Sequence, residues 1–187
     1  PVENEGLGFD MKWNMGWMND FTGYMQCDPY FRGQHHGELT FSMIYAYSEN
    51  FIQALSHDEV VHLKCSMVNK MPGFEIDKYA NLRNLYTFMF GHEGKKLLFM
   101  GQDFAQFAEF DERRSLEWFM LDYDLHKKMQ NYVRELVHQT SCFLSMIRRM
   151  MIRVSATRSS AMMMSGRISQ RLVRKSATSF FGAGSVA

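Results

Sequence analysis

The chain has 187 residues, 46% of them hydrophobic and 14% aromatic, enough for a packed core and unlike a disordered protein. It is shorter than the about 250 residues of a complete (β/α)8 barrel, and it has no run of about 18 apolar residues to serve as a membrane span. The net charge of +1 hides an asymmetry: residues 141–187 hold eight Lys+Arg and no acid, against thirteen Lys+Arg and twenty acids before them, so the tail carries +8 and the body −7.

The first residues, Pro1 to Gly6, lack the basic-then-apolar pattern of an export signal. Cys27, Cys65 and Cys142 are odd in number and far apart, which predicts reduced, partly buried thiols and a cytoplasmic protein. His35-His36 is the one sequence feature that suggests a metal, but adjacent side chains diverge and no second histidine follows at helical zinc spacing. No metal or cofactor is expected.

In chain order, Gly8 to Trp13 reads as a short strand or strand-end loop, and Asn14 to Met25 as a connection rich in aromatic and Met side chains. Leu39 to Tyr45 is an apolar-rich helix or turn, and Phe51-Ile52-Gln53-Ala54-Leu55 the next strand. Lys78 to Phe90 places Tyr79, Leu82, Leu85, Tyr86 and Met89 at helical spacing, and Gly91 and Gly94 break that helix. Lys96 to Met100 is a compact strand, Gly101-Gln102 opens a polar loop, and Leu125 to Gln139 forms the last helix of the body. Strand, helix, strand, loop, helix is the rhythm of parallel βα units and gives an α/β fold.

Ser56-His57-Asp58-Glu59 follows the Phe51–Leu55 strand directly, and in a parallel barrel the C-terminal strand ends carry the catalytic groups. The same four residues also spell a capping box, in which Ser56 and Glu59 satisfy the free amides of a helix start. On spacing alone the structural reading leads; the wider sequence reverses that order. Leu7 to Asp20, Gln34 to Ser42, Phe51 to His62, Asn69-Lys70-Met71-Pro72-Gly73 and Lys95 to Phe104 occur as separate motifs in one order. Together, over about residues 5 to 140, they resemble the glycogen (1,4-α-glucan) branching enzymes of the α-amylase superfamily.

The resemblance implies that residues 1–140 are the C-terminal portion of the catalytic barrel, an incomplete TIM barrel holding strands six to eight with their helices. It further implies that an α-1,4-glucan is cleaved and a segment transferred to form an α-1,6 branch. Such chemistry uses a nucleophile and an acid/base carboxylate, which by family placement lie upstream of Pro1. Asp58 matches the third, sugar-distorting carboxylate, and His57 a donor to the same glucose. Glu59 is expected to cap or support its neighbours. Trp13, Trp17 and Tyr45 are candidates for stacking on glucose, with Trp17 favoured as core. Gln102 and Asp103 sit where they would touch glucan or serve as a cap. Glu109, Asp111, Glu112, Arg113 and Arg114 read as a solvated charged face.

The expected partner is an α-glucan, with neither nucleic acid nor membrane, and the missing barrel half and C-terminal β domain would complete the fold. The chain by itself is expected to be inactive and, with an unpaired strand edge, prone to aggregate. The alternative is a noncatalytic glucan- or polyanion-binding module whose basic tail gives salt-dependent binding. Residues 141–187 also fit a frameshift. Met162-Met163-Met164 necessarily encodes two aspartates in a neighbouring frame, where Met162 to Arg167 can read Asp-Asp-Glu-Arg-Ser. An ordinary amphipathic helix from Phe143 to Val154 is the competing reading of the same segment.

Overall fold

The computed structural model describes residues 6–142 and Ser145. Backbone contacts divide the chain into Pro1–Thr140 and Ser141–Ala187, and the fold presented here is that of the first unit. The readings of the tail, both the frameshift and the helix from Phe143 to Val154, lie outside the described residues apart from 141, 142 and 145.

Three strands, β1 (Lys12–Trp13), β2 (Phe51–Leu55) and β3 (Lys95–Leu98), form one parallel sheet in the order β1-β2-β3. Lys12 and Trp13 pair with Phe51 and Ile52, and Ile52 to Leu55 pair with Lys95 to Leu98. The connections are helical: α1 (Met15–Gln26) and the short α2 (His36–Thr40) lie between β1 and β2, and α3 (Glu75–Gly91) lies between β2 and β3. A last helix, α4, runs through 124–140. The result is a mixed helix and strand unit built on a small parallel sheet, as the alternation of elements predicts.

The expected connection over Asn14 to Met25 is instead helix α1. The Asn14 side chain accepts the Trp17 N–H at 3.0 Å, supplying the N-cap. From there Trp17, Met18, Phe21 and Met25 make one buried stripe. Gly16, Gly23 and the aromatics give this segment weak intrinsic helix propensity, so the packed stripe decides the outcome. Trp17 is 1% exposed, which makes it a core residue.

Helix α3 is the other half of that core. Tyr79, Leu82, Leu85, Tyr86 and Met89 are all buried, as their spacing requires, and they join Leu55, the α1 stripe, Met129 and Val133 in a single cluster. Phe21 stacks on Phe88 with ring centroids 4.5 Å apart. Met18, Met25, Met67, Met71, Met89 and Met129 belong to the same cluster, consistent with methionine as a filler of irregular space. After α3 the chain turns through Gly94 at φ +96°, where an added Cβ would stand 2.8 Å from the Phe51 carbonyl oxygen. Only glycine fits that turn into β3.

Two buried polar sets lock the helices to the sheet. Gln53, inside β2, donates its amide to the Glu93 carbonyl at 2.7 Å and lies 3.1 Å from His92 Nδ1, while His92 Nε2 meets Ser42 Oγ at 2.8 Å. Farther along, His126 Nδ1 faces the Phe104 carbonyl at 2.8 Å and His126 Nε2 faces the Tyr79 hydroxyl at 2.8 Å. A carbonyl can only accept, so Nδ1 carries the hydrogen and Tyr79 donates to Nε2. That chain of bonds ties α3 to α4 and to the segment after β3.

Cys27 is half-buried, but Cys65 and Cys142 are exposed, which corrects the expectation of partly buried thiols for those two. No helix of the described residues is long and apolar enough to cross a membrane. Among the described residues β1 and β3 each pair on one side only, and Leu7, Phe9, Phe74 and Ile76 are among the exposed large apolar side chains.

Two outcomes follow from this packing. Burial pushes the Tyr79 hydroxyl up to about 12, so its contribution is complete below the ordinary tyrosine value near 10 and is lost as pH rises from there through about 12. Tyr79→Phe removes that alkaline loss and, by leaving His126 Nε2 unsatisfied, destabilises the chain at neutral pH by about 1–3 kcal/mol in urea titrations. The one-sided strands and exposed apolar side chains predict concentration-dependent association of the purified chain in sedimentation. A monomer with a single cooperative unfolding transition would contradict that second expectation.

Candidate functional site

The site begins where β2 ends. Leu55 is fully buried and its carbonyl accepts the Phe99 N–H at 3.0 Å, so the C-terminal ends of β2 and β3 are bonded together. The next residue, Ser56, is buried and caps a single 3-10 turn, His57–Glu59, its Oγ accepting the Asp58 N–H at 3.3 Å. Half of the capping reading is therefore present: Ser56 caps, but it opens one tight turn. Glu59 lies 4.0 Å from Lys64 Nζ, a supporting position.

His57 and Asp58 emerge from this turn as a pair, with Nε2 3.1 Å from Oδ1 and their side chains 47% and 48% exposed. An exposed pair of this kind adds little stability; its significance is that an acceptor-only carboxylate and an imidazole stand side by side, open to a ligand, on a buried strand end. The His57 ring rests near Phe99 at 5.8 Å and Phe110 at 6.2 Å, which gives it an apolar backing.

The other predicted residues are distributed differently. Trp13 is 40% exposed, but β1 pairs no farther along β2 than Ile52, well before the turn that holds His57. Tyr45 donates its hydroxyl to Asn14 Oδ1 at 3.2 Å, and burial, with Asp20 nearby, raises its ionisation above the usual range. It braces the start of α1.

Gln102 and Asp103 are read from the sequence as loop residues placed for glucan contact or for a cap or turn, and the structure turns Gln102 inward. Gln102 is 5% exposed, its backbone carbonyl accepts the Tyr86 hydroxyl at 2.9 Å, and among the described residues neither atom of its side-chain amide has a hydrogen-bond partner. It lines a cavity of about 20 Å³ together with Ser66, whose hydroxyl is likewise unpartnered. Asp103 is half-buried and accepts from Gln130 of α4 at 3.4 Å. The cause is packing: Phe104 and Ala105, which follow, are buried and draw the loop down onto α3 and α4.

Glu109 is the residue that sequence reasoning misplaced. Asp111 to Arg114 are largely exposed, as a solvated face should be. Glu109 instead accepts the Cys65 N–H at 2.7 Å and the Leu63 N–H at 3.1 Å, and those two amides, the Cys65 bond foremost, hold its carboxyl below the usual range. A signal was available: Glu109 stands between Ala108 and Phe110, apart from the contiguous run 111–114. Among the described residues no cluster of His, Cys, Asp or Glu is arranged to hold a metal ion.

No protein-family model matches the chain. Curated relatives do: it is 64% identical over 137 residues to "1,4-alpha-glucan branching enzyme GlgB" of Butyrivibrio fibrisolvens, covering 73% of this chain and 21% of that protein. It is 60% identical over 136 residues to the protein of the same name from Halothermothrix orenii, covering 73% and 22%, and 55% identical over 137 residues to that of Bacillus cereus, covering 73% and 21%. The chain thus spans about a fifth of the length of these relatives. Identity at this level, over most of the chain and from several organisms, agrees with the ordered motifs from Leu7 to Phe104, and over that stretch the chain belongs to the 1,4-alpha-glucan branching enzyme GlgB family.

Proposed function

We propose that this chain supplies the sugar-stabilising side of a branching reaction, in which an α-1,4-glucan is cut and the released segment is moved to a 6-hydroxyl. The observation that carries the reading is the half-exposed pair of Asp58 and His57, 3.1 Å apart, at the C-terminal end of the central parallel strand. In this reading β1, β2 and β3 are strands six to eight of an incomplete TIM barrel, and residues 1–140 are the C-terminal portion of its catalytic domain.

Asp58 accepts hydrogen bonds from the hydroxyls of one glucose. As the oxocarbenium-like transition state forms, those bonds and the negative charge become more favourable. His57 donates to the same sugar, and Trp13, set back along the sheet, offers an apolar face to a ring farther along the glucan. The Gln102 backbone carbonyl, bonded to Tyr86, and the Asp103 side chain, bonded to Gln130, support the loop from beneath. Bond cleavage with retention also needs a nucleophile and a proton donor, which this reading assigns to the rest of the parent protein, together with the other barrel strands and a C-terminal β domain. The 187-residue chain alone then contacts glucan without turning it over. The chemistry requires no cofactor or metal.

The test is titration of the chain with maltoheptaose, followed by NMR, for the wild type and Asp58→Asn. Losing one charge-assisted hydrogen bond is worth about 1.5–3 kcal/mol, so the variant should bind roughly tenfold or more weakly. Equal affinity would remove Asp58 from the site. Incubation with amylose should leave the iodine colour unchanged, and new α-1,6 branches would overturn the claim that the chain does not turn over.

A further inference from the structure

The segment that carries His57 and Asp58 is fixed at its far end as well as at β2. The Phe110 N–H donates to the Val60 carbonyl at 2.6 Å, and Val61 and Phe110 form an isolated parallel bridge. Just beyond, Leu63 and Cys65 adopt φ of +68° and +63°, left-handed values that non-glycine residues rarely take. Backbone amides alternating through such conformations converge into a concave anion-binding nest. Here the anion is internal: Glu109 Oε1 takes the Cys65 N–H at 2.7 Å and Oε2 the Leu63 N–H at 3.1 Å. His62 Nδ1 stands 3.6 Å from the same Oε2.

Glu109 and Phe110 are consecutive, so one short stretch clamps the turn and supports the site. The Phe110 ring meets His57 at 6.2 Å, edge to face, and Phe99 at 4.9 Å. Movement of the turn at 63–65 therefore has a short route to the imidazole: through Glu109 to Phe110, and through Val60 along the backbone to Asp58.

We propose that Glu109 is a positioning residue for the His57–Asp58 site, its carboxylate clamping the left-handed turn at Leu63 and Cys65 so that His57 keeps its place against Phe110. The proposal rests on the reading of His57 and Asp58 as the sugar-binding pair. Glu109 does not touch the sugar.

The clamp is an ionised carboxylate with a lowered pKa, so protection of the Leu63 and Cys65 amides is full above the usual carboxylate range. It is lost as pH falls through the lowered value. The charges that face it are His62, with Lys70 and Lys64 farther along the loop and Glu59 beside Lys64.

The experiment uses the isotope-labelled 187-residue chain, wild type and Glu109→Gln, with three readouts: amide exchange at Leu63 and Cys65, the ring resonances of His57, and those of His126 as a remote control. The expected result is exchange about tenfold faster at both amides, displaced His57 resonances, and an unchanged His126. Faster exchange with His57 unmoved would overturn the proposal, leaving Glu109 a brace for its own turn alone. If Glu109→Gln also loses the His126 signature, the fold has failed, and Glu109→Asp takes its place. That carboxylate is one methylene too short to span both amides, and the same two outcomes decide. Maltoheptaose added to the wild type separates the two readings. A shift at His57 supports the sugar site, whereas an unmoved His57 overturns that site while the coupling to Glu109 is measured independently.

Discussion

Everything in this unit depends on β2 being paired in parallel on both sides. A strand with neighbours on each edge and helices against it is buried along its length, and such strands read as near-continuous apolar runs. Phe51, Ala54 and Leu55 meet that requirement, and Gln53 meets it by committing its amide to the Glu93 carbonyl. Because the strands are parallel, their C-terminal ends face the same way, and the residues after Leu55 and Leu98 emerge together. His57 can therefore lie against Phe99, although the two are far apart in sequence.

The helices hold that sheet through apolar contact, and a few buried polar bonds select one arrangement among many that apolar contact would allow. Tyr79 to His126, His126 to Phe104, and Tyr86 to the Gln102 carbonyl connect α3, α4 and the segment after β3. Each bond is buried, so each is costly to leave unmade. A shift of α4 along α3 would break two of them at once.

Much of this was legible in the sequence because it is local. The apolar run at Phe51–Leu55 became β2 with the same ends, and the periodic residues of α3 are the ones buried. The Ser56–Glu59 segment falls at the strand end where its position suggested chemistry. What escaped depends on contacts between distant segments. Helix α1 has poor propensity and forms because Asn14 caps it and Phe88 packs against it. Gln102 reads as a polar loop residue, yet the buried pair after it and the Tyr86 hydroxyl pull it inward. Glu109 reads as one charge among five, and only the fold shows that its oxygens point at amides more than forty positions away.

The same contrast explains why the site sits where it does. A loop that presents side chains to a ligand cannot be held by burial, because burial would hide what it presents. His57 and Asp58 are half-exposed, so their placement has to come from the two ends of their segment. At one end the buried strand supplies it without strain. At the other, the chain must reverse, and it does so through two left-handed residues that each cost roughly 1–2 kcal/mol. A turn with that cost does not persist by itself; it persists where the surroundings over-determine it. The carboxylate of Glu109 and the bridge from Phe110 are those surroundings, and both arrive from the segment after β3. The loop after β2 and the loop after β3 are thus bonded to each other, and on the role proposed for Glu109 this bonding keeps the exposed pair in place without burying it.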